Sequence, residues 1–272
     1  MLCKVKPITI LSIFILLLSL IATVGGLVLS NIYQDSQTMI TIWQSNDLIT
    51  LMIVVPIFIV SIIVWYKKQT LKPLLVWYSV LWYMIYNYAY YVYGAAFNDF
   101  YLLHLFIYTL SIGALLLGLK SFPIDHIKQT LKTNYRYKIV IIQMLFVAIG
   151  LTIIYVMQSL NYIINDTLPA IIAISGHITS VVFTIDFSMV VLFFVLGSIL
   201  LVKKNPWGVV IAFLGNLKGV LYLSVLTLAS LRTNPSEVII WVTLGLLSLM
   251  SFILIWYGLE NKSQIDSNNQ PI

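Results

Sequence analysis

The sequence predicts an all-α, polytopic bundle of about eight membrane-crossing helices, and three observations carry that expectation. Of 272 residues, 61% are hydrophobic and only 9% are charged, whereas a soluble domain carries roughly 25% charged residues. A water-soluble chain of this length has too little interior to hide so much apolar side chain. The apolar residues also fall in blocks of about 20, the length of helix that crosses a ~30 Å hydrocarbon core. The cationic residues, finally, gather in alternate gaps between those blocks.

Eight apolar stretches stand out, at about 8–30, 48–66, 73–97, 101–119, 139–158, 178–202, 206–230 and 238–258. They fill residues 1–260 so fully that the chain reads as one transmembrane domain without a soluble module. A polar tail over 261–272 follows, of a composition that stays disordered. Span 1 begins with Lys4 and Lys6, as a signal peptide would. Its apolar core is too long and no A-x-A site follows, so it reads as a retained first span. Pro73 and Pro206 stand where a first helical turn tolerates a missing N–H, and Asn205 is placed to cap the helix behind it. Trp43, Trp65, Tyr66, Trp207, Trp241, Trp256 and Tyr257 lie near span ends, where amphipathic rings favour the interface. Between spans 5 and 6, Asp166, Thr167 and Pro169 look like a helix start and Gly176 like its end, which predicts a short interfacial helix. No repeat at solenoid periods is apparent.

Orientation follows from Lys and Arg. With both chain ends in the cytoplasm, 13 of the 15 fall inside, among them Lys67, Lys68, Lys72, Lys120, Lys128, Lys132, Arg136, Lys203, Lys204 and Lys262. Arg232 is outside and Lys218 lies within the membrane. The positive-inside rule therefore predicts a multi-pass protein of the inner or plasma membrane. The net charge of +6 is accounted for by topology, so the expected partner is the lipid bilayer and not nucleic acid. The basic loop 120–138 reads as a stop-transfer segment within reach of anionic headgroups. Cys3 is the only cysteine, which excludes an intrachain disulfide and thiol metal motifs.

Four strings occur together: "WQSNDLITL" at 43–51, "YNYAYYVYGAAFN" at 86–98, Asp186 early in span 6, and "KKNPWG" with "LKG" at 203–208 and 217–219. In combination they resemble a group of eight-span bacterial and archaeal membrane proteins of unassigned activity. The likeness covers spans 2 to 4 and 6 to 7. It implies eight spans and a prokaryotic inner membrane, and it brings no catalytic residue with it.

Charge within a bilayer costs roughly 2.5–3.5 kcal/mol on insertion scales, so polar residues inside spans mark candidate sites. Lys218 lies 12 residues past Pro206, about 18 Å from the inner end of its helix and too deep to snorkel. Tyr222 shares its face, and Gly215 and Gly219 form a close-packing G-x-x-x-G. Asp186 is roughly 12 Å below the outer end of span 6. Side chains lean toward their own helix's N-terminus, which points Asp186 outward and Lys218 inward and disfavours a direct ion pair. Asn87, about 21 Å from the inner end of span 3, matches Lys218 in depth.

Span 3 carries aromatics along its whole length, and mid-membrane hydroxyls need partners. A stripe through Tyr83, Asn87, Tyr90 or Tyr91, Gly94 and Asn98 suits a cavity for a lipid-like, aromatic or cationic ligand, against dense packing of a central helix. The predicted ligand-binding set is thus Lys218, Asn87, Asp186, Tyr222, Tyr83 and Tyr91, between spans 3, 6 and 7.

Near the outer face, His104, His177, Asp47, Asp99 and Asp186 are ligand types that zinc uses. They come from separate segments with no H-x-x-x-H or H-E-x-x-H spacing, which gives no metal assignment. P-loop, G-x-G-x-x-G and G-x-S-x-G motifs are missing as well, and no cofactor is expected. The leading expectation is a carrier or ligand-binding membrane protein. The alternatives are an outer-leaflet enzyme of metal-assisted hydrolysis using His104, His177, Asp47 and Asp186, and a structural or assembly subunit. A lysine on the seventh helix also invites comparison with retinal proteins, but span 3 lacks a carboxylate counter-ion.

Overall fold

The computed structural model describes residues 2–29, 31–132 and 137–260. The expected polar tail with Lys262 lies outside them, as does Arg136. The described chain is helical almost throughout, without a strand; a single bridge joins Leu131 to Leu259.

Eight long rods form the bundle. The first is α1 (Leu2–Val28). The second is α2 (Gln37–Ile49), which passes through a π-helical turn (Thr50–Val54) into α3 (Val55–Lys68). Then come α4 (Leu71–Tyr93) and α5 (Tyr101–Lys120), followed by the short α6 (Ile124–Thr130). Next are the long α7 (Tyr137–Asn165) and the one-turn α8 (Ala170–Ser175). The sixth rod is α9 (Val181–Asp186), a second π-helical turn (Phe187–Val191) and α10 (Leu192–Val202). Last are α11 (Pro206–Thr233) and α12 (Val238–Gly258).

Seven of the eight rods are long and apolar enough to cross a membrane. The exception, α4, has the length, but its tyrosines and Asn87 lower its hydropathy. It is tolerated because α4 meets almost no lipid: 20 of its 23 residues are buried. The other rods turn outward side chains such as Ile10, Phe14, Phe146, Ile153, Leu192 and Ile239, all exposed. A surface so apolar suits hydrocarbon and not water, so the chain is a multi-pass integral membrane protein.

Local chemistry explains the rod ends. Ser36 caps α2 through Met39 N–H, so the second rod starts eleven residues before the apolar stretch at 48. Asn205 accepts from Trp207 N–H at 2.9 Å with Pro206 in the first turn of α11. Pro73 lies in the first turn of α4, where an absent N–H leaves no bond unmade. Gly176 ends α8 at φ +70°, a left-handed value natural to glycine. Trp43 and Trp65, expected in the interface, are instead buried. The Trp43 indole donates to Asp35 at 3.1 Å, and Trp65 packs edge-on against Trp77.

One packing pattern occurs twice. In the first half α1 packs on α2, α3 and α5, and α4 packs on α3 and α5. In the second, α7 packs on α10 and α12, and α11 packs on α10 and α12. Across the middle, α4 touches α9, α11 touches α2, and α4 and α11 pack together. The pairings within one set match those within the other, with α4 and α11 in corresponding places. Both second rods carry a buried Asp just before their π-turn, Asp47 and Asp186, and both end in a Lys-Lys pair. This order is one of helix packing, which residue identity along the chain does not display.

Lysines 67, 68, 72, 120, 128, 132, 138, 203 and 204 all fall at rod ends or loops of one end of the bundle, the lysine-rich end. There the segment after α6 is tied to the end of α12 by Lys132 N–H to Gly258 O and Glu260 N–H to Thr130 O, at 2.9 and 2.7 Å. Lys72 is covered by the ring of Trp256, 5.1 Å from its centroid.

Candidate functional site

Between the halves lies a cavity of about 300 Å³. Gly215 and Lys218 of α11 are at its deep end, and Tyr222, Ser230 and Thr233 lead along the same helix away from the lysine-rich end. Trp43 and Asn46 of α2, Asp186 of α9, and Glu237 and Trp241 beside α12 complete its polar edge; the rest is largely aliphatic. Along this wall α11 carries glycine where neighbouring side chains pack close on it. A Cβ at Gly215 would strike the Phe194 ring, and one at Gly219 would crowd the Ser248 hydroxyl.

Asp186 is held by three phenols. Tyr86 and Tyr90 donate to its Oδ1, the latter at 3.2 Å, and Tyr155 donates to Oδ2. Tyr86 and Tyr90 are one helical turn apart on α4, so both hydroxyls reach one carboxylate. Lys218 Nζ lies over the Tyr86 ring, 3.3 Å from its centroid, where the ring's negative face attracts a cation. Among the described residues the only ion pair is Lys128–Asp125, so Lys218 and Asp186 do not form one. Tyr86 stands between them, its face to the amine and its hydroxyl to the carboxylate. The opposed lean of the two side chains accounts for this. Tyr222 stacks on Tyr90 and meets Tyr86 edge-on. Lys218 is only 4% exposed, and no hydrogen bond to its ammonium forms among the described residues.

The structure therefore brings Lys218, Asp186 and Tyr222 to one wall. Asn87, Tyr83 and Tyr91, expected beside them, are on another face of α4. Positions 83, 87 and 91 repeat every four residues and turn toward the second rod. Tyr83 shares a 2.8 Å hydrogen bond with Thr50 and donates to Asn46 at 3.3 Å. Tyr91 donates to Asp47 Oδ1 at 2.9 Å and Tyr33 donates to Oδ2. Asn87 is buried away from the cavity with its side-chain oxygen unbonded. Burial, and then the nearby Asp47, push the Tyr33 hydroxyl well above its ordinary pKa and keep it a donor.

The outer polar set does not converge into a metal site. Among the described residues no three His, Cys, Asp or Glu side chains are placed to hold one ion. Asp47 and Asp186 are occupied by tyrosines, and His177 Nε2 meets Gly94 O. His104 lies tilted against the rings of Tyr88 and Tyr91 and edge-on to Phe100, with both nitrogens unbonded.

Sequence reasoning missed Tyr155, Asn46 and Glu237 as site residues. Tyr155 sits near the end of span 5, where a tyrosine reads as an interface anchor, and only the fold turns it onto Asp186. The π-turns have no signature in composition, although such turns often adjoin functional groups.

Fold and site define a multi-pass, all-α membrane protein with an internal cavity walled by a lysine, a carboxylate and tyrosines. Comparison with family models, with curated proteins and with solved structures finds no match.

Proposed function

We propose that this protein is a carrier or ligand-binding protein of the cell membrane, cytoplasmic at its lysine-rich end. Its cavity admits a small molecule from the opposite, outer side. The observation that carries the reading is the unpaired ammonium of Lys218 at the floor of a ~300 Å³ space. Desolvating a cation without an acceptor is costly, and a chain has little reason to keep it unless a ligand supplies the missing group. The repeated packing of the two halves supports transport. Carriers built from parallel repeats place their sites near mid-membrane between the repeats, where this cavity lies.

Access to Lys218 tests the proposal. With Cys3→Ser as background, Lys218→Cys is expected to react with a small water-soluble methanethiosulfonate. Asn216→Cys, on the far side of the same helix, is expected to stay unmodified. Equal inertness of both cysteines would remove the cavity and the function with it.

A further inference from the structure

We propose that the cavity takes a single-chain amphiphile with an acidic headgroup, which enters sideways from the lipid through the seam between α7 and α9. This rests on reading the cavity as a ligand site.

The headgroup follows from what the wall lacks. Asp186 has both oxygens engaged by phenol donors, so it offers little to an incoming cation. Lys218 has donors to give and only a ring face beneath it. A carboxylate or phosphate completes it through a charge-assisted hydrogen bond, the strong kind. The body follows from the lining. Beyond the polar floor the walls are Val147, Leu151, Val190, Leu223, Leu226 and Leu244, which bind by excluding water. About 300 Å³ is at the low end for ligand pockets and fits one chain, not two.

The route follows from a second space. A groove of about 340 Å³ lies between α7 and α9, bordered by Tyr155, Val156, Leu160, Phe183 and Phe187. Val156, Leu160 and Phe187 are exposed on the lipid-facing surface. Tyr155 borders both groove and cavity. Its ring stacks on Phe183 with centroids 4.1 Å apart, and its hydroxyl holds Asp186. Tyr155 is the side chain common to the two spaces, and swinging it aside opens the way from one to the other. An acyl chain is the occupant that fits, because the groove lies within the hydrocarbon-facing surface and continues into an aliphatic cavity.

The full chain in nanodiscs of zwitterionic lipid is titrated with radiolabelled dodecanoate, dodecyl phosphate, dodecanol and dodecylamine. Saturable binding of about one molecule per protein is expected for the two acids, at least tenfold tighter than for the alcohol or amine. The tighter acid names the headgroup. Lys218→Met is expected to lose tenfold or more, and Lys218→Arg to stay within about threefold. Tyr155→Ala is expected to load dodecanoate from donor vesicles several times faster. Equal binding of the amine or alcohol, no saturable binding of any probe, or an unchanged Lys218→Met would overturn the ligand class. A loading rate unaltered by Tyr155→Ala would overturn the lateral route. If all probes fail while Lys218→Cys still reacts, the cavity stands and only this ligand assignment falls.

Discussion

Asp47 and Asp186 occupy matching places on two rods of the same build, each shortly before a π-turn and each gripped by phenols, Asp47 by Tyr91 of α4 and Tyr33, Asp186 by Tyr86 and Tyr90 of α4 and Tyr155. Their surroundings differ. Asp47 is sealed behind Gly26, Tyr33 and Tyr91, and does not reach the cavity. Asp186 borders the cavity beside Lys218. The same carboxylate–phenol chemistry thus serves as a staple in one half and as a site wall in the other. α4 contributes to both because Tyr86 and Tyr90 point one way and Tyr91 another.

The contrast is sharpest in stability. Asp47→Leu strands two phenols away from water and is expected to lose about 2 kcal/mol or more, since a buried donor left without its partner costs about 1–3 kcal/mol. Asp186→Leu strands three, yet cavity water can reach them, so about half that loss is expected. Unfolding by graded SDS, followed by circular dichroism, measures both. Equal losses would erase the distinction. Gly26→Ala comes next, because its Cβ would collide with the Asp47 carboxylate and the Tyr33 hydroxyl. Overpacking of this kind costs about 1–3 kcal/mol. In the same assay Lys218→Met is expected to raise stability by about 1 kcal/mol, since an unpaired buried cation is a burden that function retains. The smallest effect is expected from the tyrosines. Tyr91→Phe should cost about 1 kcal/mol, in keeping with hydrogen bonds between membrane helices, and Tyr90→Phe less, because Tyr86 and Tyr155 still hold Asp186.

Much of this architecture is legible before any coordinates. Block length and lysine placement delimit the rods, because the hydrocarbon core fixes how many residues must be apolar. Depth counting finds Lys218 and Asp186, because helical rise converts sequence distance into depth. Rotation around α4 is what the sequence hides. Aromatic residues occur all around that helix, so no single stripe tells its cavity face from its core face. Asn87 and Tyr83 match Lys218 in depth and differ from it in azimuth. Tyr155 is hidden for the reverse reason: it is ordinary at its position and gains its role only from the rod beside it. The repeat of halves is a property of helix course and packing, which composition does not record.

The central claim is that a space open at the face away from the lysines reaches Lys218. In intact cells carrying Lys218→Cys on the Cys3→Ser background, a small charged, membrane-impermeant methanethiosulfonate added outside measures this directly. Modification is predicted, with Lys203→Cys in the same cells left untouched. Modification of position 203 alone, or of neither, would contradict the account.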